Sequence, residues 1–264
     1  MKKRILILSV FLMFSIPSAS RAGTFMLGLK GWYTSWDSAF AKTLGAYYHD
    51  YFVAAGIPNT VTINPGTGYL AGPLVGYQTD DRKWSLSFAG MIFSSFKQNT
   101  KFETSTEKAV LDLKLTRKDM DFTAGYSLSD HLKLFAGYKY MYTRADLKFK
   151  FYNGEQDMGW YQTTSNIPSF GVGTAFPLSD KLLLSGQFGL LYVKTNMEYK
   201  DGTSYKVDNS WGYTIEAALN YLLTQNVFLQ AGVKYQTFTL KISDLKTNEK
   251  DNFFGFTGSA IYMF

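Results

Sequence analysis

Few residues in this chain have the type and spacing needed for covalent chemistry. There is no cysteine, which removes a thiolate nucleophile, a disulfide framework and any Cys-ligated metal. There are two histidines, His49 and His131. His131 follows Ser129 and Asp130 in a short polar run that reads as a turn. His49 falls on the polar side of a candidate helix. Neither is placed as a general base with an orienting carboxylate. Two carboxylate pairs remain. Asp80 and Asp81 stand in a Thr-Asp-Asp-Arg-Lys run, where Asp serves turn geometry. Asp119-x-Asp121 has Arg117 and Lys118 beside it, which reads as a salt-bridge group rather than a poised acid. No glycine-rich phosphate loop and no metal-ligand spacing stands out. The residues therefore imply no enzyme, no cofactor and no metal.

What the charged residues do instead depends on the elements that carry them, and these repeat with period two. Leu132, Leu134, Ala136, Tyr138, Tyr140 and Tyr142 share one face; Lys133, Phe135, Gly137, Lys139 and Met141 share the other. Leu182 to Tyr192 and Val227 to Tyr235 repeat the pattern. Tight polar turns at 79–83, 129–131, 179–181 and 224–226 join long alternating runs in pairs. Longer polar stretches at 97–108, 153–159, 201–210 and 243–251 make the other connections. The expected strands are 24–35, 67–78, 84–97, 110–128, 132–151, 160–178, 182–199, 211–223, 227–242 and 252–264. That is an all-β, ten-stranded antiparallel transmembrane barrel, with eight or twelve as the neighbouring counts. The apolar faces run about 9–11 residues, enough for a tilted strand to cross a hydrocarbon band. Tyr140, Tyr142, Tyr192 and Tyr235 close one end of these faces. Trp84, Phe176, Tyr221 and Phe264 lie near the other, as interfacial girdles require. High aromatic content, with 22 Phe, 19 Tyr and 5 Trp in 264 residues, suits that arrangement.

The N-terminus reads as an export signal. Met1-Lys2-Lys3-Arg4 precedes an apolar stretch from Ile5 to Ile16, too short to cross a bilayer as a helix. Ser20-Arg21-Ala22 places small residues where a signal peptidase cuts. Residues 1–22 would be removed and 23–264 would form the barrel. Removal takes Lys2, Lys3, Arg4 and Arg21 and lowers the net charge from +6 to +2. No basic patch for a nucleic-acid partner then remains.

At the other end, Phe254, Phe256, Gly258, Ala260, Tyr262 and Phe264 alternate on one face. A terminal Phe with Tyr two residues before it resembles the C-terminal signature of bacterial outer-membrane barrels. Together with the leader and the strand pattern, it makes the chain similar to the broad class of small Gram-negative outer-membrane barrels, OmpW-like or OmpX-like in style. The resemblance implies an outer-membrane location with lipid as a partner. It also implies assembly through Tyr262 and Phe264 by the barrel-assembly machinery.

If the apolar face meets lipid, Lys30, Arg117, Asp119, Asp121, Lys133, Lys139, Glu216 and Lys234 face the lumen, with Asn220, Gln230 and Gln236. They could line a polar pore or plug it with ion pairs, since a ten-stranded lumen is little wider than one that side chains fill. Beyond the tyrosines the apolar residues change parity. Leu147, Phe149 and Phe151 follow Tyr142, and Phe238, Leu240 and Ile242 follow Tyr235. They would either line an apolar mouth fit for a small hydrophobic ligand, return outward through bulges, or pack the extracellular hairpins. The longest connection, 36–66, is expected outside the cell. It holds a candidate amphipathic helix capped by Ser38, with Phe40, Leu44, Tyr47, Tyr48, Tyr51, Phe52 and Ala55 on one stripe and Gly56 and Pro58 at its end. The functional expectation is passage or binding of small solutes. The alternative is a closed barrel that acts through its loops.

Overall fold

A computed structural model describes residues 23–57, 59–103, 108–151, 154–243 and 247–264; the expected signal segment 1–22 lies outside them. The strands are β1 (Thr24–Asp37), β2 (Thr60–Gln78), β3 (Trp84–Met91), β4 (Phe93–Glu103), β5 (Lys108–Ser127), β6 (Leu132–Phe151), β7 (Gly154–Pro177), β8 (Leu182–Tyr199), β9 (Ser204–Tyr205), β10 (Val207–Asp208), β11 (Ser210–Leu222), β12 (Val227–Ile242) and β13 (Thr247–Met263). One helix, α1 (Ala39–Ala54), follows β1. β3 and β4 are the two halves of one stave, broken where Ile92 and Phe93 both face outward, at 43% and 62% exposure. β9 and β10 are short additions to β8 and β12. The wall therefore has the ten expected staves. Every neighbouring pair is antiparallel, and β1 pairs with both β2 and β13. No edge is left open, as a bilayer demands of spanning strands.

Side-chain parity holds along β5, β6 and β12 from end to end, whereas in β2 it shifts at the Asn64/Thr67 irregularity, so that Val61 and Ile63 pack inward above Gly66, Gly68 and Leu70. In β5 the odd residues Leu111, Leu113, Leu115, Arg117 and Asp119 are all buried. In β6 Met141, Ala145, Leu147 and Phe149 continue the inward face begun by Lys133 and Lys139. In β12 Phe238, Leu240 and Ile242 share the inward face of Lys234 and Gln236. The apolar residues beyond the tyrosines thus stay inside. Two register irregularities lie near this region, at Asn64/Thr67 in β2 and in β7, where Met158 is passed over opposite Leu147/Lys148, and neither turns the Leu147 or Phe149 side chain outward.

What changes along the barrel is the medium outside it. Within the band Leu29, Phe122, Leu134, Phe170, Leu184, Ile215, Leu229 and Phe256 are exposed, and the inward face is polar. Beyond it the wall is polar outside and apolar inside, like a soluble barrel. This explains the main departure from the sequence reading. The polar stretches expected as long loops at 97–108, 153–159 and 243–251 largely continue the strands, because their polar residues are outward faces in water. The 36–66 connection shrinks for the same reason: β1 runs to Asp37 and β2 begins at Thr60.

Between them lies α1, with its 16 residues starting at the expected cap. Ser38 Oγ accepts a hydrogen bond from the Ala41 backbone N–H at 3.3 Å, satisfying one of the donors a helix start leaves free. Ala39, Phe40, Ala41, Thr43, Leu44 and Gly45 are buried, so the first turns insert into the barrel end. The later turns rise out of it, and Tyr47 and Tyr51 are more than half exposed.

Candidate functional site: a lumen closed in two layers

The lower layer is an ion-pair cluster inside the band. Arg117 is fully buried and grips Asp119 with both arms, Nε to Oδ1 at 2.7 Å and Nη2 to Oδ2 at 2.6 Å. Lys139 Nζ donates to Asp119 at 3.2 Å and lies 2.9 Å from Asp121. Lys118, next in sequence, points outward and takes no part; Lys139 on β6 fills that role, because Asp121 and Lys139 are cross-strand partners. The Arg117 guanidinium also crosses the lumen and lies 4.2 Å from the ring centre of Phe253 on β13. Trp32 and Trp36 lie within 6 Å of it. A planar, weakly hydrated cation suits such a stack better than an ammonium does.

A second cluster centres on Glu216 of β11. It accepts from Gln187 Nε2 and from Thr257 Oγ1, both at 3.2 Å. Lys30 and Lys234 approach it at 3.9 and 3.8 Å. Asn220 bridges Ser185 at 2.7 Å and Gln230 at 3.0 Å. The two clusters collect seven of the eight charged residues read from parity, in separate groups; Lys133 stands apart and donates to Ser85. Below them a polar vestibule of about 350 Å3 opens at the short-turn end, lined among others by Lys133, Gln187, Glu216 and Gln230.

The upper layer is apolar. Leu147, Phe149, Phe238, Leu240 and Ile242 are each at most 4% exposed. They belong to a core that includes Phe40 and Leu44 of α1. Phe149 stacks on Phe102 at 5.6 Å, and Tyr48 and Phe52 of α1 meet both rings. The Phe151 side chain lies outside the described residues. The cavity left within this layer is about 30 Å3, room for a water or two rather than for a ligand.

Asp251 of β13 fastens the helix and was not among the residues singled out from sequence. Its Oδ1 accepts from Trp36 Nε1 at 2.9 Å and from the Ala39 backbone N–H at 2.8 Å. A carboxylate at a helix start also complements the helix dipole. Lys42 adds an ion pair to Asp37 at 2.7 Å. The signal was available: Asp251 shares the inward parity of Phe253, although nothing in the sequence pairs it with residue 39.

The histidines belong to neither layer: His49 lies on the outer part of α1, and His131 lines the vestibule mouth. His131 Nδ1 lies 3.0 Å from the Ala175 carbonyl and its ring stacks on Phe176. His49 Nδ1 lies 2.9 Å from Asn59 Oδ1. In the 79–83 turn Asp81 accepts from the Thr79 hydroxyl and from the Lys83 backbone N–H, which hold its carboxyl below the usual range. Among the described residues no three His, Asp or Glu gather as a metal site. At the C-terminus Tyr262 and Phe264 face outward, at 46% and 64% exposure, and their rings meet edge to face at 4.8 Å.

A closed antiparallel wall, apolar outside and polar inside over one band, defines a transmembrane β-barrel. The chain matches no protein-family model and no curated protein. Among solved structures it is similar to the outer membrane protease OmpT from Escherichia coli, with a TM-score of 0.54 at 13% identity over 95% of this chain and 99% of that one. The transport unit of the autotransporter AIDA-I from Escherichia coli follows at 0.44, with 11% identity over 95% and 93%. Neisserial surface protein A gives 0.38, with 12% identity over 91% and 98%. At these identities the OmpT likeness speaks to the fold alone. The structural neighbours are Gram-negative outer-membrane barrels, and this chain is a closed ten-stranded barrel of that architecture.

Proposed function

We propose that this protein is an outer-membrane barrel with a closed lumen, working through its protruding end and outer surface rather than as an open conduit. One observation carries this reading: Arg117 on β5 reaches across the lumen to Phe253 on β13, and α1 fills the space above. Export through removal of residues 1–22 and assembly through Tyr262 and Phe264 belong to the same proposal, as do the outer-membrane location and the placing of the α1 end outside the cell.

A second reading, passage or binding of small solutes, is favoured by the 350 Å3 vestibule. A polar solute could enter there from the short-turn end. Going further would require the ion pairs to part and α1 to leave. A small hydrophobic ligand at Leu147, Phe149, Phe238, Leu240 and Ile242 would likewise need the volume α1 occupies. Liposome swelling separates the two readings. Vesicles carrying the wild-type protein should admit small sugars no faster than empty vesicles; porin-like swelling would favour passage.

A further inference from the structure

The outer wall above the apolar band carries some of its cations in ion pairs: Lys148 with Glu155 at 2.6 Å, Lys150 with Asp112 at 2.5 Å and Arg144 with Asp146 at 2.9 Å. Lys97, Lys114 and Lys118 are exposed and make no ion pair among the described residues; Asp146, the cross-strand partner of Lys114, is held by Arg144 instead. Lys97 and Lys114 are direct cross-strand partners on the outward face of β4 and β5. Like charges in that position repel. Lys118 lies on the same face of β5, opposite Tyr142 of the tyrosine row.

Immediately beside these lysines the wall turns apolar. Phe93 is 62% and Met120 45% exposed. The Arg117 backbone N–H donates to Ser94 Oγ at 2.7 Å, which sets Phe93 next to Lys118. The patch is thus cationic on one side and greasy on the other, at the height where headgroups meet acyl chains.

We propose that Lys97, Lys114 and Lys118 bind the phosphate-bearing headgroup of an anionic lipid, whose acyl chains run down over Phe93 and Met120. The carboxylate opposite Lys114, Asp146, is engaged by Arg144, so phosphate oxygens supply the counter-charge that the three lysines lack, and ammonium groups on a flat wall suit a rounded anion better than a planar one. Free phosphate would satisfy the lysines but would make no use of the apolar residues beside them, so the lipid is the occupant.

Native mass spectrometry on the purified protein in octyl glucoside tests this, with phosphatidylglycerol compared against phosphatidylcholine of the same chains. Phosphatidylglycerol should bind in preference, and added salt should weaken it. Each lysine near a charged headgroup is worth about a fivefold change in binding, so K97Q/K114Q/K118Q should weaken it about a hundredfold. K148Q/K150Q, which removes paired cations, should leave it unchanged. Heat-modifiable migration on a gel verifies that each variant is folded. Should the triple variant not fold, K118Q alone is expected to weaken binding about fivefold. Equal binding of the two lipids, equal loss in both sets of variants, or displacement of phosphatidylglycerol by millimolar inorganic phosphate would overturn the proposal.

Discussion

Asp119→Ala tests the ion-pair layer. Asp119 takes two hydrogen bonds from Arg117, at 2.7 and 2.6 Å, and one from Lys139 at 3.2 Å. Removing it leaves Lys139 with Asp121 at 2.9 Å, but it leaves Arg117, which is 0% exposed, with no carboxylate. Removing one partner of a buried pair costs about 3–5 kcal/mol, because the remaining charge is dehydrated without compensation. The face of Phe253, 4.2 Å from the guanidinium, offsets a part worth about 0.5–2 kcal/mol but is present in both proteins. The loss should therefore fall in the full range. Urea unfolding of the refolded barrel in detergent, followed by tryptophan fluorescence and extrapolated to water, measures it. Arg117→Met with Asp119→Leu removes both charges and should recover most of the loss. A cost below about 1 kcal/mol for Asp119→Ala, typical of an exposed pair, would show that water reaches Arg117 and that the lumen is open at this level.

The other expectations concern placement. Arg at Leu134, Leu184 or Leu229, all outward within the band, should destabilise the barrel by ~2–4 kcal/mol in the same assay; Arg at the vestibule residues Gln187 or Gln230 should cost far less. Deleting Phe264 should leave unassembled protein in the periplasm, whereas wild-type levels of heat-modifiable barrel would make the terminal residue incidental. An epitope in 201–209 should be detected on intact cells and one at 179–181 should not; the reverse labelling would invert the orientation. Phe149→Ser with Leu240→Ser removes two side chains buried against α1, each worth about 2–5 kcal/mol, and should make residues 39–54 protease-sensitive. Strong binding of an apolar probe by the wild-type protein would show instead that α1 leaves the barrel end readily.

Period-two patterning made the staves legible: the ranges 132–151, 182–199 and 227–242 coincide with β6, β8 and β12. It also placed Lys30, Arg117, Asp119, Asp121, Lys133, Lys139, Glu216 and Lys234 on the inward face. Ser38 and Gly56 marked the helix, since a cap and a left-handed residue are local signals; Gly56 has φ of +76°. Contacts across the lumen were not legible. The local run Arg117 to Asp121 pairs Arg117 with a carboxylate, but nothing in it sets Phe253 or Trp36 against the guanidinium, and nothing local joins Asp251 to Ala39, 212 residues away. Strand ends above the band were hidden for another reason. There the solvent outside is water, so Lys101, Asp157 and Lys250 look like loop residues although each lies on a strand.

The central claim is a closed lumen, and conductance in planar bilayers tests it most directly. Purified wild-type protein, inserted and verified as folded, should give no stepwise current above the bare membrane, because Arg117, Phe253 and α1 block the path at two levels. Steady ohmic steps from the wild-type protein, comparable to those of an unobstructed barrel of this width, would contradict it.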